Sequence, residues 1–358
     1  MVHFAKVKIP PQEELFGIDC MPYLCGGLKL IAYRSNFFEQ FVFLSDKLFI
    51  MPKTYVDKSI YIGKSPSEIF EIISDFHTWE HWSPWLIVEP SAKVNVREDG
   101  KYYEWSGDVV GVGNMTVLSE NKPLHLHCDL TFLKPWKSTA KINFHLKEEG
   151  FGTRVHWQMD GSLPFFMFFL KKMMQAFVGT DFSRGLNMLK DYIEDGKVHS
   201  QLEFVGMQEY AGCQYVGIRS ECSMEEMAES MRNNFEKLME YFMAEQQEIM
   251  DGNPFSIYHK WNLVKGRVSY TAAVPVKSIP KDVPAGTMQG KVPSTKIHVV
   301  RHTGAYIHAG NPWSAQMSME RAKKFKRNKS IHPMEVYLNS PKNTAPKDLI
   351  TEVWMSVK

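Results

Sequence analysis

The sequence predicts an α+β fold: an antiparallel sheet closed by one long helix, followed by a duplicated strand-helix-strand-strand (βαββ) unit. Three observations carry this expectation. Between Thr54 and Gly196, short strand-like runs are separated by polar or glycine-rich turns such as Glu98-Asp99-Gly100, and the segment ends in one long apolar stripe. From Gln214 onward, one order of elements occurs twice. At 358 residues the chain is long for a single core, and its 44% apolar and 13% aromatic content can fill two. The expected division is an extension over residues 1–52, a first domain over 53–196 and a second over 201–358.

The extension holds the apolar stretch Leu28 to Ile50, which Lys29, Arg34, Glu39, Asp46 and Lys47 interrupt. A membrane span needs roughly 20 mostly apolar residues, and a signal peptide needs an uncharged core and a small-residue cleavage site. The stretch has neither. Phe37, Phe38, Phe41, Leu44, Leu48 and Phe49 recur at near-helical spacing, which fits a helix packed on the body or one lying on a membrane surface.

Tyr55–Ile62 reads as the first strand. Ser65-Pro66-Ser67-Glu68 then forms a capping box, in which the serine hydroxyl and the glutamate carboxylate each accept a backbone N–H of the other residue. The helix it opens turns Ile69, Phe70, Ile72 and Ile73 inward. Strands are expected over 92–96, 101–105, 107–118, 125–132, 139–146 and 153–158. A helix over 166–193 closes the segment, with Leu170, Met173, Met174, Phe177, Val178, Leu186, Leu189 and Ile193 largely on one stripe. A curved sheet wrapped on such a helix leaves a cavity unless large side chains fill it, and methionines are adaptable fillers.

Asp195–Ser200 reads as a linker. The first copy of the repeat has a strand at 214–219 and a helix opened by a second capping box, Ser223-Met224-Glu225-Glu226. That helix carries Met224, Met227, Met231, Phe235, Leu238, Met239 and Phe242, and strands at 254–258 and 268–276 follow it. The second copy has a strand at 297–300, a helix over roughly 312–327, and strands at 333–338 and 349–357. Neither unit buries its apolar face alone, so the two pack together, and the cleft between them is a natural small-molecule site. Pro275 to Pro293, with Pro280, Pro284, Gly286 and Gly290, reads as an irregular crossover.

Residues 54–195, with Asp75-Phe76-His77-Thr78-Trp79-Glu80-His81-Trp82-Ser83-Pro84-Trp85 after the first helix, resemble the SRPBCC or START-like helix-grip superfamily, including its polyketide-cyclase-type members. Residues 201–358 resemble the GyrI-like small-molecule-binding domain, related to the effector-binding domains of AraC-type and multidrug-sensing regulators. His302-Thr303-Gly304-Ala305-Tyr306, Pro333-Met334-Glu335-Val336-Tyr337-Leu338 and Leu349-Ile350-Thr351-Glu352-Val353-Trp354 carry that second resemblance. Two-domain relatives often begin with a membrane-spanning helix, whose place is taken here by the charged, interrupted stretch. The family's Pro-Trp-Glu pattern has Met334 in place of tryptophan, which is expected to remove one aromatic wall.

The resemblance implies that Glu335 lies in the ligand cleft and pairs with hydrophobic or cationic aromatic ligands. Burial would raise its pKa and a bound cation would lower it. Tyr306, Tyr337 and Trp354 are placed near it, and Tyr258, Trp261 and Tyr270 come from the first copy. Each ring offers stacking or cation–π contact worth roughly 0.5–2 kcal/mol. Some GyrI-like relatives are hydrolases that use the equivalent glutamate, so Glu335 is the candidate general base if the chain is an enzyme; otherwise no catalytic residue is assigned. A cyclase-like enzyme in the helix-grip segment and a module that sequesters a protein partner are further alternatives. Trp79, Trp82 and Trp85 read as packing at the cavity mouth, and Asp108, Asp129 and Asp160 lack the neighbours of a dyad or triad.

The net charge of +2, from 42 basic and 40 acidic residues, gives no global attraction to nucleic acid. The run Arg321 to Lys329 is read as the cationic end of the second-copy helix rather than a nucleic-acid patch. The cysteines (Cys20, Cys25, Cys128, Cys213, Cys222) form no CxxC pair and fit a cytoplasmic setting. His125 with His127, and His77 with His81, have metal-ligand spacing but no matched third ligand, so no metal is expected. The absence of Walker, GxGxxG, GxSxG and HExxH patterns leaves no cofactor indicated.

Overall fold

The computed structural model describes residues 53–134, 137–163, 165–245 and 247–358. The expectations for residues 1–52 lie outside them. The chain first builds β1 (Lys53–Ile62), α1 (Pro66–Ile73), α2 (Trp79–Trp82), β2 (Lys93–Val96), β3 (Tyr102–Gly107), β4 (Gly111–Asn121), β5 (His125–Lys134), β6 (Ser138–Glu149), β7 (Gly152–Ser162) and α3 (Lys171–Asp195). The seven strands form one antiparallel sheet in the order β1-β7-β6-β5-β4-β3-β2, a meander whose first strand closes on its last. The Ser65 capping box forms in full, with Glu68 N donating to Ser65 Oγ and Ser65 N donating to Glu68 Oε2.

The closing helix begins later than expected, because Phe165–Leu170 is a 3-10 turn and α3 starts at Lys171. It ends at Gly196, whose φ of 73° supplies the left-handed residue that terminates helices. Between helix and sheet lies an aromatic core. Trp157 stacks on Phe182 with ring centroids 4.3 Å apart, and Trp79 and Trp82 each meet Trp157 edge-on. Trp79 and Trp82 are therefore fully buried core residues rather than rim residues.

The second half comprises β8 (Ser200–Tyr210), β9 (Cys213–Ser223), α4 (Met227–Glu245), β10 (Phe255–Asn262), β11 (Arg267–Val276), β12 (Met288–Val292), β13 (Thr295–Gly304), α5 (Gly310–Arg321), β14 (Met334–Tyr337) and β15 (Ile350–Val357). Its eight-stranded sheet runs β12-β9-β11-β10-β14-β15-β13-β8. The duplication is visible in this order: each copy contributes its first, third and second strands, and the second strands, β10 and β14, pair at the centre. The fold is α+β, with two antiparallel sheets and helices packed against each.

Three local expectations are corrected. The 275–293 crossover contains an edge strand, β12, paired with β9; Gly290 there allows the Tyr215 ring to approach a backbone that any Cβ would block. The supposed linker already enters β8 at Ser200. The second-copy helix stops at Arg321, because Lys323 adopts φ 59°, outside right-handed helix. Of the cationic run, only Arg321 occupies the last turn. Lys324 instead reaches across to Asp108, in the β3–β4 turn, at 2.7 Å.

The two halves meet along a small apolar cluster of Val88, Val300 and Ala315 and a buried polar network. Arg184 on α3 donates to Asn311 Oδ1 at 2.8 Å and to the Pro84 carbonyl at 3.0 Å. Asn311 Nδ2 donates to Ser200 Oγ at 2.8 Å, and that hydroxyl lies 3.0 Å from His302 Nε2. His308 pairs with Asp191 at 2.8 Å.

Candidate ligand site

α4 packs on β9 and β11 and α5 on β13 and β15, on one face of the eight-stranded sheet, so that the two helices flank the central strands β10 and β14. Side chains alternate along β14, so Glu335 and Tyr337 face the helices while Met334 and Val336 face the other side. On β10, Tyr258 shares the helix face, where a register shift between Tyr258 and Lys260 bends the strand. Gln316 fixes α5 in place, because its amide donates to the carbonyls of His298 and Val353 and its oxygen accepts from His298 Nδ1. One helical turn earlier, on the same side of α5, is Trp313.

Trp313 Nε1 donates to Glu335 Oε2 at 2.6 Å, and the Tyr258 hydroxyl donates to the same oxygen at 3.2 Å. Glu335 is only 5% exposed. Burial raises its carboxyl above the ordinary carboxylate range, and the hydrogen bonds from Trp313, Tyr258 and Tyr337 oppose that rise. The Tyr258 and Tyr337 hydroxyls are held well above their usual value by desolvation first and by the Glu335 charge second. Tyr306 is pushed up to about 12 for the same two reasons. Among the described residues, no lysine, arginine or histidine is paired with Glu335 in a hydrogen bond or ion pair.

Aromatic faces enclose the carboxylate. Trp261 stacks on Tyr258 at 4.8 Å and 12°, and both meet Trp313 edge-on at 4.9 and 4.8 Å. Tyr337 meets Phe235 of α4 at 5.3 Å and Tyr306 at 6.0 Å, and its hydroxyl reaches Met231 Sδ at 3.9 Å. Tyr306, 41% exposed, forms the outer edge. The Trp261 Nε1–H is buried without an acceptor among the described residues.

Five of the six rings expected around Glu335 share its side of the sheet. Tyr306, Tyr337, Tyr258 and Trp261 gather there; Tyr270 pairs with Tyr258 across β10 and β11, but its hydroxyl is spent on Ser230 and Asn234 of α4. Trp354 does not join them. It pairs with Met334 on the opposite face, stacks edge-on against Tyr210 and donates to Glu352. Met334 consequently takes no wall away from Glu335, because position 334 faces the other side. The indole that does cap the carboxylate, Trp313, was not among the sequence candidates; its position near the start of the second-copy helix was the available signal.

The first sheet encloses a separate apolar cavity of about 40 Å³, lined by Trp79, Trp85, Tyr103, Trp105, Phe132 and Trp157 among others. Asp108, Asp129 and Asp160 do not line it. His125 Nε2 and His127 Nδ1 both lie within 3.0 Å of Asn143 Oδ1, His77 bonds Asp75, and His81 stacks on Tyr192. Among the described residues, no group of three histidine, cysteine or acidic side chains is arranged to hold a metal ion, and no helix is long and apolar enough to cross a membrane.

Residues 53–194 match the family described as polyketide cyclase / dehydrase and lipid transport, and residues 207–358 match the GyrI-like small molecule binding domain. The chain thus carries one segment similar to each family. Both descriptions indicate small-molecule binding. No curated protein matches the chain. Similar solved structures include protein MLL2253 from Mesorhizobium loti, at 16% identity and a TM-score of 0.32, covering 40% of this chain and 99% of that one. The EcmrR C-terminal domain is 16% identical with a TM-score of 0.35, covering 44% and 98%. SAV2435 bound to tetraphenylphosphonium is 24% identical with a TM-score of 0.29, covering 44% and 94%.

Proposed function

We propose that this chain binds a hydrophobic, cationic aromatic small molecule between α4, α5 and the central strands, with Glu335 as its counter-charge. It would serve as a sensor, carrier or sequestering protein in a cytoplasmic setting. One observation carries the reading: a carboxylate buried among indole and phenol rings has neutral hydrogen-bond donors and, among the described residues, no cation paired with it. An ionised carboxylate in such surroundings is costly unless a positive charge accompanies it. A ligand cation supplies that charge, and the rings of Tyr258, Trp261 and Trp313 add cation–π contacts of roughly 0.5–2 kcal/mol each. Met231, Phe235 and Tyr306 surround Tyr337 at the outer side of the site, and methionine adapts readily to ligands of different outline. The unpartnered Trp261 N–H suits a ligand that also carries a hydrogen-bond acceptor. The cavity of the first sheet, at about 40 Å³, would have to widen to hold a second apolar ligand or an apolar part of the same one.

A second reading, hydrolysis with Glu335 as general base, is favoured by Trp313, which gives the glutamate the indole neighbour that position 334 lacks. A thermal-shift screen of aromatic cations against neutral aromatics separates the two, followed by chromatography of each hit after incubation. Cation-selective stabilisation with the ligand recovered intact supports binding; consumption of the hit by wild type but not by Glu335→Gln supports hydrolysis. Equal stabilisation by neutral aromatics would count against both.

A further inference from the structure

We propose that the chain carries a further ligand site, for a phosphate group, in a polar pocket at the β10–β11 hairpin on the sheet face away from Glu335. The register shift between Tyr258 and Lys260 builds it. Tyr258 and Trp261 both face the helices, so the extra residue of the bulge, His259, turns Lys260 and Asn262 to the opposite face. There Lys260 lies across from Ser269, Ser269 across from Glu221, and Asn262 across from Arg267. These side chains, with Lys265 of the β10–β11 turn, line a pocket of about 140 Å³, well above what a single water molecule occupies.

Two of the lining groups are buried and incompletely bonded. Asn262 is 8% exposed; its Oδ1 accepts from Lys265 N at 3.0 Å, while its NH2 has no acceptor among the described residues. Ser269 is 9% exposed, and its hydroxyl has no hydrogen-bond partner among the described residues. Donors so far withdrawn from water are costly unless something in the pocket accepts from them. The charge of the lining says what that is. Lys260, Lys265 and Arg267 are cationic, and Glu221, which Arg267 engages at 3.3 Å, is the one carboxylate among the lining residues. Arg219, two residues before Glu221 on the same face of β9, adds positive charge. Glu226 is the other carboxylate near Arg267, but Ser223 N and Oγ donate to it at 3.0 and 2.8 Å and it does not line the pocket. An excess of cations around neutral donors matches an oxyanion with several acceptor oxygens, and a phosphate group can take the guanidinium, the hydroxyl and the amide together. A carboxylate ligand, with two oxygens, would leave donors unmet.

The test is calorimetric titration of inorganic phosphate and of glycerol phosphate into the full chain, against sodium chloride at matched ionic strength. Wild type should bind a phosphate and not chloride. Ser269→Ala should weaken binding at least about tenfold, as expected for a hydrogen bond to a charged group, and its melting temperature should hold because the hydroxyl has no protein partner to lose. Arg267→Ala should weaken binding about tenfold, and Lys265→Ala, at an exposed position, about threefold. Glu335→Gln should leave phosphate binding unchanged, which separates this site from the one on the helix face. Tighter binding of glycerol phosphate assigns the site to a phosphorylated small molecule, and equal binding assigns it to free phosphate; both support the proposal. No phosphate binding by wild type overturns it and leaves the pocket to water. Binding that survives both Ser269→Ala and Arg267→Ala also overturns it, because the anion is then held elsewhere on the chain.

Discussion

Replacing Trp313 by phenylalanine keeps a ring against Tyr258 and Trp261 while deleting the N–H that reaches Glu335 Oε2 at 2.6 Å. A hydrogen bond to a charged group is worth about 1.5–3 kcal/mol, and the smaller ring in a closed core costs about 1 kcal/mol more. The expected loss with Glu335 ionised is therefore about 2.5–4 kcal/mol. The structure also fixes how this loss varies with pH. Glu335 has its folded pKa raised, so its favourable contribution is complete at low pH and is lost as pH rises through the folded value. Trp313 lowers that folded value by favouring the ionised form. Its removal thus costs most above the folded pKa, and below it only a neutral hydrogen bond of about 0.5–1.5 kcal/mol disappears. Urea unfolding of wild type, Trp313→Phe, Glu335→Gln and the double variant, at mildly acidic and mildly alkaline pH, measures the coupling directly. The coupling should grow with pH by about 1–2 kcal/mol. A coupling near zero, or one that does not change with pH, would refute the reasoning.

Other consequences are checked more simply. In titrations with an aromatic cation, Tyr258→Phe should weaken binding by about 1 kcal/mol or more, while Trp354→Phe, on the opposite sheet face, should leave affinity unchanged. Asn311→Ala removes both the Arg184 acceptor and the Ser200 donor at the junction of the halves, and should lower unfolding free energy by about 2–4 kcal/mol. His302 is buried and its imidazole is pushed down to about 4. The unfolded chain takes up that proton first, so stability should fall as pH drops from about 6.5 toward 4, by up to roughly 3 kcal/mol, and His302→Gln should flatten that slope in unfolding experiments.

Much of the fold is legible because local chemistry and packing agree. Both serine–glutamate pairs form their reciprocal hydrogen bonds, since these depend only on residues three apart, although the second pair lies in the turn just before α4. The repeat is legible because each copy must bury one face, which imposes the same periodicities twice. β12 was hidden because Gly286 and Gly290 read as turn signals, whereas Gly290, the one glycine within the strand, is there to admit the Tyr215 ring. Around Glu335, strand alternation within β14 correctly groups Glu335 with Tyr337. It says nothing about β15, whose register is set by a connection of a dozen residues, and so the face occupied by Trp354 could not be read. Trp313 escaped for a related reason: helical periodicity marks an inward side, but which strand residue lies beneath it depends on how Gln316 seats the helix on β13 and β15.

The measurement that bears hardest on Glu335 is calorimetric titration of an aromatic quaternary ammonium cation into wild type and Glu335→Gln at a pH where Glu335 is ionised. Wild type should bind, and removing the buried counter-charge should cost at least about 2 kcal/mol, roughly thirtyfold in affinity. Wild-type affinity should also decline as pH falls through the raised folded pKa, while the variant's should not. Equal affinities for the two proteins, or a pH profile shared by both, would contradict the claim that Glu335 is the ligand's partner.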